Sequence, residues 1–179
     1  MAQDLTRSGR PADTEWHPFQ RGYLMPWVTP SDDIATALEQ QLVPALELLR
    51  SVPAPKETFR YAPGKWSLRE VVGHIADTER ILTTRALAAS RRDPSPYPPF
   101  DEDAYAAASG HDAIPLHRLM EQVVAVRRST LALIAGFDHD AWRGFGFGKG
   151  HRVSARAWIF AAHAHTALHL GTIRSKYLA

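Results

Sequence analysis

In four stretches of this chain apolar residues recur every three or four positions, and no run alternates long enough to read as a strand. That pattern limits the fold to helices that bury one face each. Four helices of about twenty residues pack most simply as a four-helix bundle, an all-α fold. The clearest stretch covers residues 67–91. Ser67 and Glu70 form an S-x-x-E capping box, in which each side chain serves the other's backbone N–H. Leu68, Val71, Val72, Ile75, Leu82 and Ala86 make the buried stripe, and Asp93-Pro94 ends it. An earlier helix is expected from Ser31 as N-cap, with Asp32 and Asp33 in its first turn and Ile34, Leu38, Leu42, Ala45 and Leu49 facing inward. Pro44 removes a hydrogen bond at a cost of about 3 kcal/mol, so a kink or break is expected there. A third helix fits Pro115 to Gly136. A fourth starts near Ser154, with Trp158, Ile159, Ala162, His165, His169, Ile173 and Tyr177 on one face.

The segments between set the organisation. Residues 1–30 hold Pro11, Pro18, Pro26 and Pro30 and read as a partly disordered N-terminal arm, its second half packed through Trp16, Phe19, Tyr23 and Trp27. Residues 31–179 read as the bundle domain. Residues 92–114 form a long loop in which Asp101 to Ala108 has room for a short helical turn. A tight hairpin would not need so long a connection. The predicted topology is therefore up-down-down-up, with the second and third helices parallel and the loop crossing over. The glycine-rich run at 144–150 is expected to be a flexible connection. It is not a phosphate loop, because Lys149 is followed by Gly150 and no strand is evident before it.

Composition removes several function classes. The net charge is only +2, and no basic run is interleaved with aromatics, so a nucleic-acid partner is not expected. The arginine pairs at 91/92 and 127/128 read as solvated faces. There is no cysteine, which excludes disulfides, thiolate nucleophiles and cysteine-ligated zinc. The first fifteen residues lack the apolar core of a signal peptide, and Ala157 to Gly171 is too short to span a bilayer. A cytoplasmic protein with no membrane partner is the expectation.

Nine histidines are present. His165 and His169 are one helical turn apart on a face that should point inward, and two such imidazoles suit one metal ion. His163 lies about 200° round the helix from His165 and should point elsewhere. His74 is seven residues from the start of the second predicted helix, and His169 is nine residues before Leu178. If those helices run antiparallel, both rings sit about 10–14 Å from the same bundle end and can converge with His165. Three nitrogen ligands suit zinc, nickel or iron(II) better than magnesium or calcium.

The segments YAPGKWSLREVVGHIADTERILTTRAL (61–87), PFDEDAY (99–105) and HTALHLGTIRSKYL (165–178) together resemble the DinB/YfiT-like metalloenzymes, in their DinB-like branch. The likeness covers roughly residues 30–178. It implies a four-helix bundle, a homodimer, and a divalent ion (zinc, nickel or iron) held by His74, His165 and His169. It also implies a small-molecule substrate and, in some relatives, an external low-molecular-weight thiol. Relatives often carry a further histidine directly before the last ligand, where this chain has Leu168. Asp77 and Glu70 are candidate carboxylates behind His74 or a bound water, although the capping box already accounts for Glu70. Tyr105 and Trp142 either line a pocket mouth or pack. Two functions stay open at this point. One is a metal-dependent transferase or hydrolase that activates a thiol or water. The other is a stress-associated binding module whose metal is structural or absent. A cavity beside His165 distinguishes them.

Overall fold

The computed structural model describes residues 8–148 and 150–179; Lys149 and the first seven residues, with the expectations placed on them, lie outside the described residues. The helices are α1 (Pro18–Leu24), α2 (Ile34–Arg50), α3 (Leu68–Ser90), α4 (Glu102–Ser109), α5 (Leu116–Ile134), α6 (His139–Trp142) and α7 (Ala155–Thr172). A π-helical turn, Ile173–Tyr177, continues α7. Three short strands are also present: β1 (Pro96–Tyr97), β2 (Phe145–Gly148) and β3 (His151–Ser154). The fold is thus a mostly helical bundle with added short helices and a small sheet, not the plain four-helix bundle expected.

The four long helices keep their predicted places. Ser67 Oγ accepts from Glu70 N at 3.1 Å, and Glu70 accepts from Ser67 N at 2.7 Å, so the capping box opens α3 as read. Ser154 caps α7 by accepting from Ala157 N. α2 starts later than expected. Ser31 Oγ is held by the backbone of Asp33, and Asp33 is the cap, accepting from Thr36 N at 3.1 Å. Pro44 does not break α2. It lies on the exposed face with Gln40, whose carbonyl loses its helical partner where water can replace it.

Contacts along the helices give their directions. Glu79 meets Arg127 and Thr83 meets Thr130, so α3 and α5 run parallel. Trp66 O accepts from Tyr177, His74 meets His165 and Arg85 lies over Trp158, so α3 and α7 run antiparallel. The connection from α3 to α5 is not structureless. It carries β1, then α4 capped by Asp101, then a turn at His111–Ala113.

The strands correct the reading of residues 144–150. Phe145 to Gly148 pair antiparallel with His151 to Ser154 and parallel with Pro96–Tyr97, in the order β1-β2-β3. Glycine hid the strand because it contributes no alternating side chain. It is needed there: a Cβ on Gly146 would stand 1.6 Å from the Tyr97 hydroxyl of β1.

α7 differs from an amphipathic helix. From Ala155 to Ala162 every residue but Arg156 is buried, so the helix is apolar all round and must be covered on every side. The N-terminal segment supplies the cover. α1 forms where proline density predicted irregular chain, with Pro18 at its first position, where a missing N–H costs nothing. α1 and the Met25–Trp27 turn pack on α7, and a Cβ at Gly171 would meet the Trp27 ring at 2.4 Å. Arg156 pairs with buried Glu15 and donates to Ser8 O at 3.2 Å.

The core has two apolar halves. One gathers Leu24, Leu38, Leu82, Phe137, Trp142, Trp158 and Phe160; the other gathers Leu49, Val72, Ile75, Leu119, Val123 and Ile173. A buried polar layer lies between them, made of His74, Thr78, Glu79, Arg127, Thr130, His165 and Thr166. Among the described residues no helix is long and apolar enough to cross a membrane.

Candidate metal centre

The polar layer holds His74 and His165, and half-buried His169 adjoins it. α3 presents His74 and α7 presents His165 and His169, as the antiparallel packing of these helices requires. His74 Nε2 is 3.0 Å from His165 Nε2, and His169 Nε2 is 3.1 Å from the same atom. One nitrogen from each ring lies within 4.8 Å of the others. His163, two residues before His165, is not part of this group.

The chemistry of this donor set suits a metal ion. Burial pushes the His74 imidazole down to about 4, with the nearby charge of His111 adding and that of Asp103 opposing. Burial, then His74, pushes His169 down to about 3. Burial, then His169 and His74, holds His165 well below the usual histidine range. All three rings are therefore neutral at pH 7. In either tautomer His165 Nε2 offers one N–H or one lone pair, so without an ion it serves only one of its two neighbours fully. A tetrahedral ion with bonds of about 2.05 Å spaces its nitrogens about 3.3 Å apart, close to what is seen.

The surrounding residues fix the rings. Trp66, just ahead of the α3 cap, packs on His74 with centroids 4.6 Å apart. Thr78 Oγ1 is 3.4 Å from His74. The π-helical turn follows His169 by one turn and carries Tyr177 to Trp66 O at 2.6 Å, tying the end of the chain to the start of α3. In the same layer, Arg127 donates to Glu79 at 2.8 and 2.9 Å, to Leu38 O at 2.7 Å and to Thr166 at 3.4 Å. Arg127 was expected on a solvated face but is 1% exposed. A guanidinium is buried only when its donors are met, and here Glu79, Leu38 and Gln41 meet them.

The other candidates are placed as follows. Asp77 pairs with Arg80 at 2.9 Å and lies 3.6 Å from His111 Nε2; no hydrogen bond joins it to His74 among the described residues. His111 packs on Gly73, where a Cβ would meet its ring at 2.1 Å. Glu70 serves the cap and pairs with Arg60. Tyr105 is exposed against Phe100, and Trp142 is buried against Phe137.

The triad is not sealed. A cavity of about 110 Å³ reaches His165 and is bounded by Tyr23, Thr78, Arg85, Tyr97 and Trp158. A second touches all three histidines, with Phe19, Tyr23, Trp66 and Glu102 around them. Sequence reasoning passed over Arg85. Its signal was present: it follows His74 by three helical turns and so shares its face, since eleven steps of about 100° return almost to the start.

A profile of the DinB superfamily matches residues 37–173. No curated protein matches the chain. Among solved structures, it is similar to YfiT from Bacillus subtilis, described as a probable metal-dependent hydrolase with an unusual four-helix bundle topology. The identity is 14% and the TM-score 0.67, over 96% of this chain and 95% of that one.

Proposed function

The chain belongs to the DinB superfamily, and on that premise we propose that it is a metal-dependent enzyme whose ion is held by His74, His165 and His169. The ion is zinc, nickel or iron(II), because three neutral imidazoles favour these over harder cations. When bound, such an ion supplies a lowered pKa to a coordinated water or thiol and polarises a neighbouring carbonyl. A thiol would come from outside, since the chain has no cysteine. The description of YfiT supports hydrolysis as one form of the reaction; transfer of a low-molecular-weight thiol is the other.

The single observation that carries this reading is the open space beside His165. A structural ion would be walled in, whereas this triad faces two cavities. The chain's own residues have definite parts in it. Trp66 and Thr78 hold the His74 ring, and Phe19 and Tyr23 of α1 line both cavities. Asp77 enters only indirectly, through His111 packed beside His74. The up-down-down-up order, to which the paired helix contacts point, gives α3 and α7 their opposed directions. In the same reading the partner is a small molecule, the assembly is a homodimer, and the location is cytoplasmic.

The test is metal content by mass spectrometry of untagged protein purified without chelators, beside His74→Ala and His165→Ala. About one transition-metal ion per chain is expected, lost in both variants while their helical spectra persist. Wild-type protein that arrives metal-free and takes up none of zinc, nickel or iron would refute the reading.

A further inference from the structure

Arg85 is a cation without an obvious purpose. It lies on α3, half-buried, with its guanidinium 5.1 Å from the Trp158 ring and 5.7 Å from Phe100. Its one hydrogen bond among the described residues goes from Nη2 to Pro98 O at 2.9 Å. No carboxylate of the described residues is within ion-pair distance of it. Arg127, which is buried more deeply, is by contrast paired with a carboxylate. Burial works against the Arg85 charge, as a missing counter-ion would lead one to expect.

The place of this cation is informative. Arg85 and His165 bound the same cavity, and Tyr23, Phe19, Glu102 and His165 are common to that cavity and the one touching all three histidines. The two spaces therefore meet along a shared wall. The first is lined mainly by flat aromatic and apolar side chains: Tyr23, Leu82, Phe100 and Trp158. Tyr23 is held protonated, pushed up to about 12 by burial, so its hydroxyl can donate there. One carboxylate does bound the space: Glu102, at the exposed rim.

We infer that Arg85 is the anion-binding end of the substrate cavity, and that the substrate is a small carboxylate with a flat apolar body. This rests on the metal-enzyme reading above. The carboxylate lies on the guanidinium, the body lies between the aromatic faces, and the reacting end points to His165. A guanidinium presents parallel N–H donors that match the two oxygens of a carboxylate, and a half-buried setting strengthens the pair. The cavity of about 110 Å³ is somewhat smaller than one of about 150 Å³ that encloses benzene, so a single flat ring is the upper limit for the body it takes.

The inference is tested on the whole chain by fluorine NMR titration, with and without metal. The probes are 4-fluorobenzoate and 4,4,4-trifluorobutanoate, each beside its neutral amide. Line broadening reads affinity even when it is weak. At least one acid is expected to bind at least tenfold more tightly than its amide. Arg85→Gln should remove that preference, Arg85→Lys should keep part of it, and Glu102→Gln should tighten acid binding about twofold or more by removing the rim charge. Equal affinity for acid and amide, failure of both acids to bind at 10 mM, or unchanged acid binding in folded Arg85→Gln would each overturn it. Metal content is measured on the same samples. Protein that carries metal but shows no acid preference refutes this inference alone. Protein that prefers the acid but takes up no metal refutes the enzyme reading and leaves an anion site.

Discussion

Removing Glu79 should cost this protein much of its stability, and the structure says why. Glu79 is 2% exposed and Arg127 1%. The carboxylate takes two charge-assisted bonds from the guanidinium, at 2.8 and 2.9 Å, and a third from Thr130 at 2.9 Å. Glu79→Ala leaves a buried guanidinium with only Leu38 O, Gln41 and Thr166 as acceptors, and it cannot shed its proton. Breaking a buried pair from one side costs about 3–5 kcal/mol. For a chain of this size that is a fall in Tm of about 6–20 °C. Arg127→Met should cost less, because an unpaired buried carboxyl can take up a proton. The double replacement Glu79→Leu with Arg127→Met should cost less than either single change, because it buries no unpaired charge. Urea unfolding at pH 7, followed by circular dichroism, gives all three values. If Glu79→Ala costs under 1 kcal/mol, or if the double variant costs the sum of the singles, then the pair is not a closed unit in the core.

Two further outcomes follow from the site and the sheet. Stability of the metal-free protein should fall with acidity: the unfolded histidines gain protons near pH 6.5, while folded His74 resists until about pH 4 and His169 until about pH 3. The loss therefore begins below about pH 6.5 and reaches on the order of 3 kcal/mol at pH 4 from His74 alone; thermal melts of chelator-treated protein that stay level from pH 7 to pH 4.5 would contradict it. Gly144→Ala should destabilise by about 1–3 kcal/mol, because a Cβ there stands 2.3 Å from the backbone oxygen of Ala89, which cannot swing aside. Gly136→Ala, with its nearest neighbour at 3.6 Å, is the control and should melt near wild type.

The parts of the fold that were legible are those written in local pattern. The capping box placed the start of α3 because Ser67 and Glu70 need only each other. The level argument for His74 and His169 worked from spacing once two helices were taken as antiparallel. What stayed hidden depends on partners far away in sequence. Arg127 looked solvated because its neighbour is Arg128, while its carboxylate is 48 residues upstream. β2 was hidden because alternate positions are glycine, and its partner β1 lies in a proline-rich loop. α1 was hidden because its reason to form is α7, whose apolar circumference read as a single stripe. Arg85 shared a face with His74 but offered no motif, since an unpaired cation becomes meaningful only when the space beside it is seen.

The distance along the chain between the two histidine-bearing helices also has a consequence in time. His74 and His165 are 91 residues apart. At about 5–20 residues per second, synthesis delivers the second ring roughly 5–20 s after the first. Until then α3 exposes one lone imidazole, too poor a chelator to recruit an ion. α7 is also the element on which α1, α2 and α3 all pack, so the earliest and latest segments to be made must meet before either core half closes. On the proposed reading, the three rings are therefore brought together only once α7 is made and packed on α3. On that reading, metal supply after synthesis, rather than during it, sets how fully the three-histidine site is loaded.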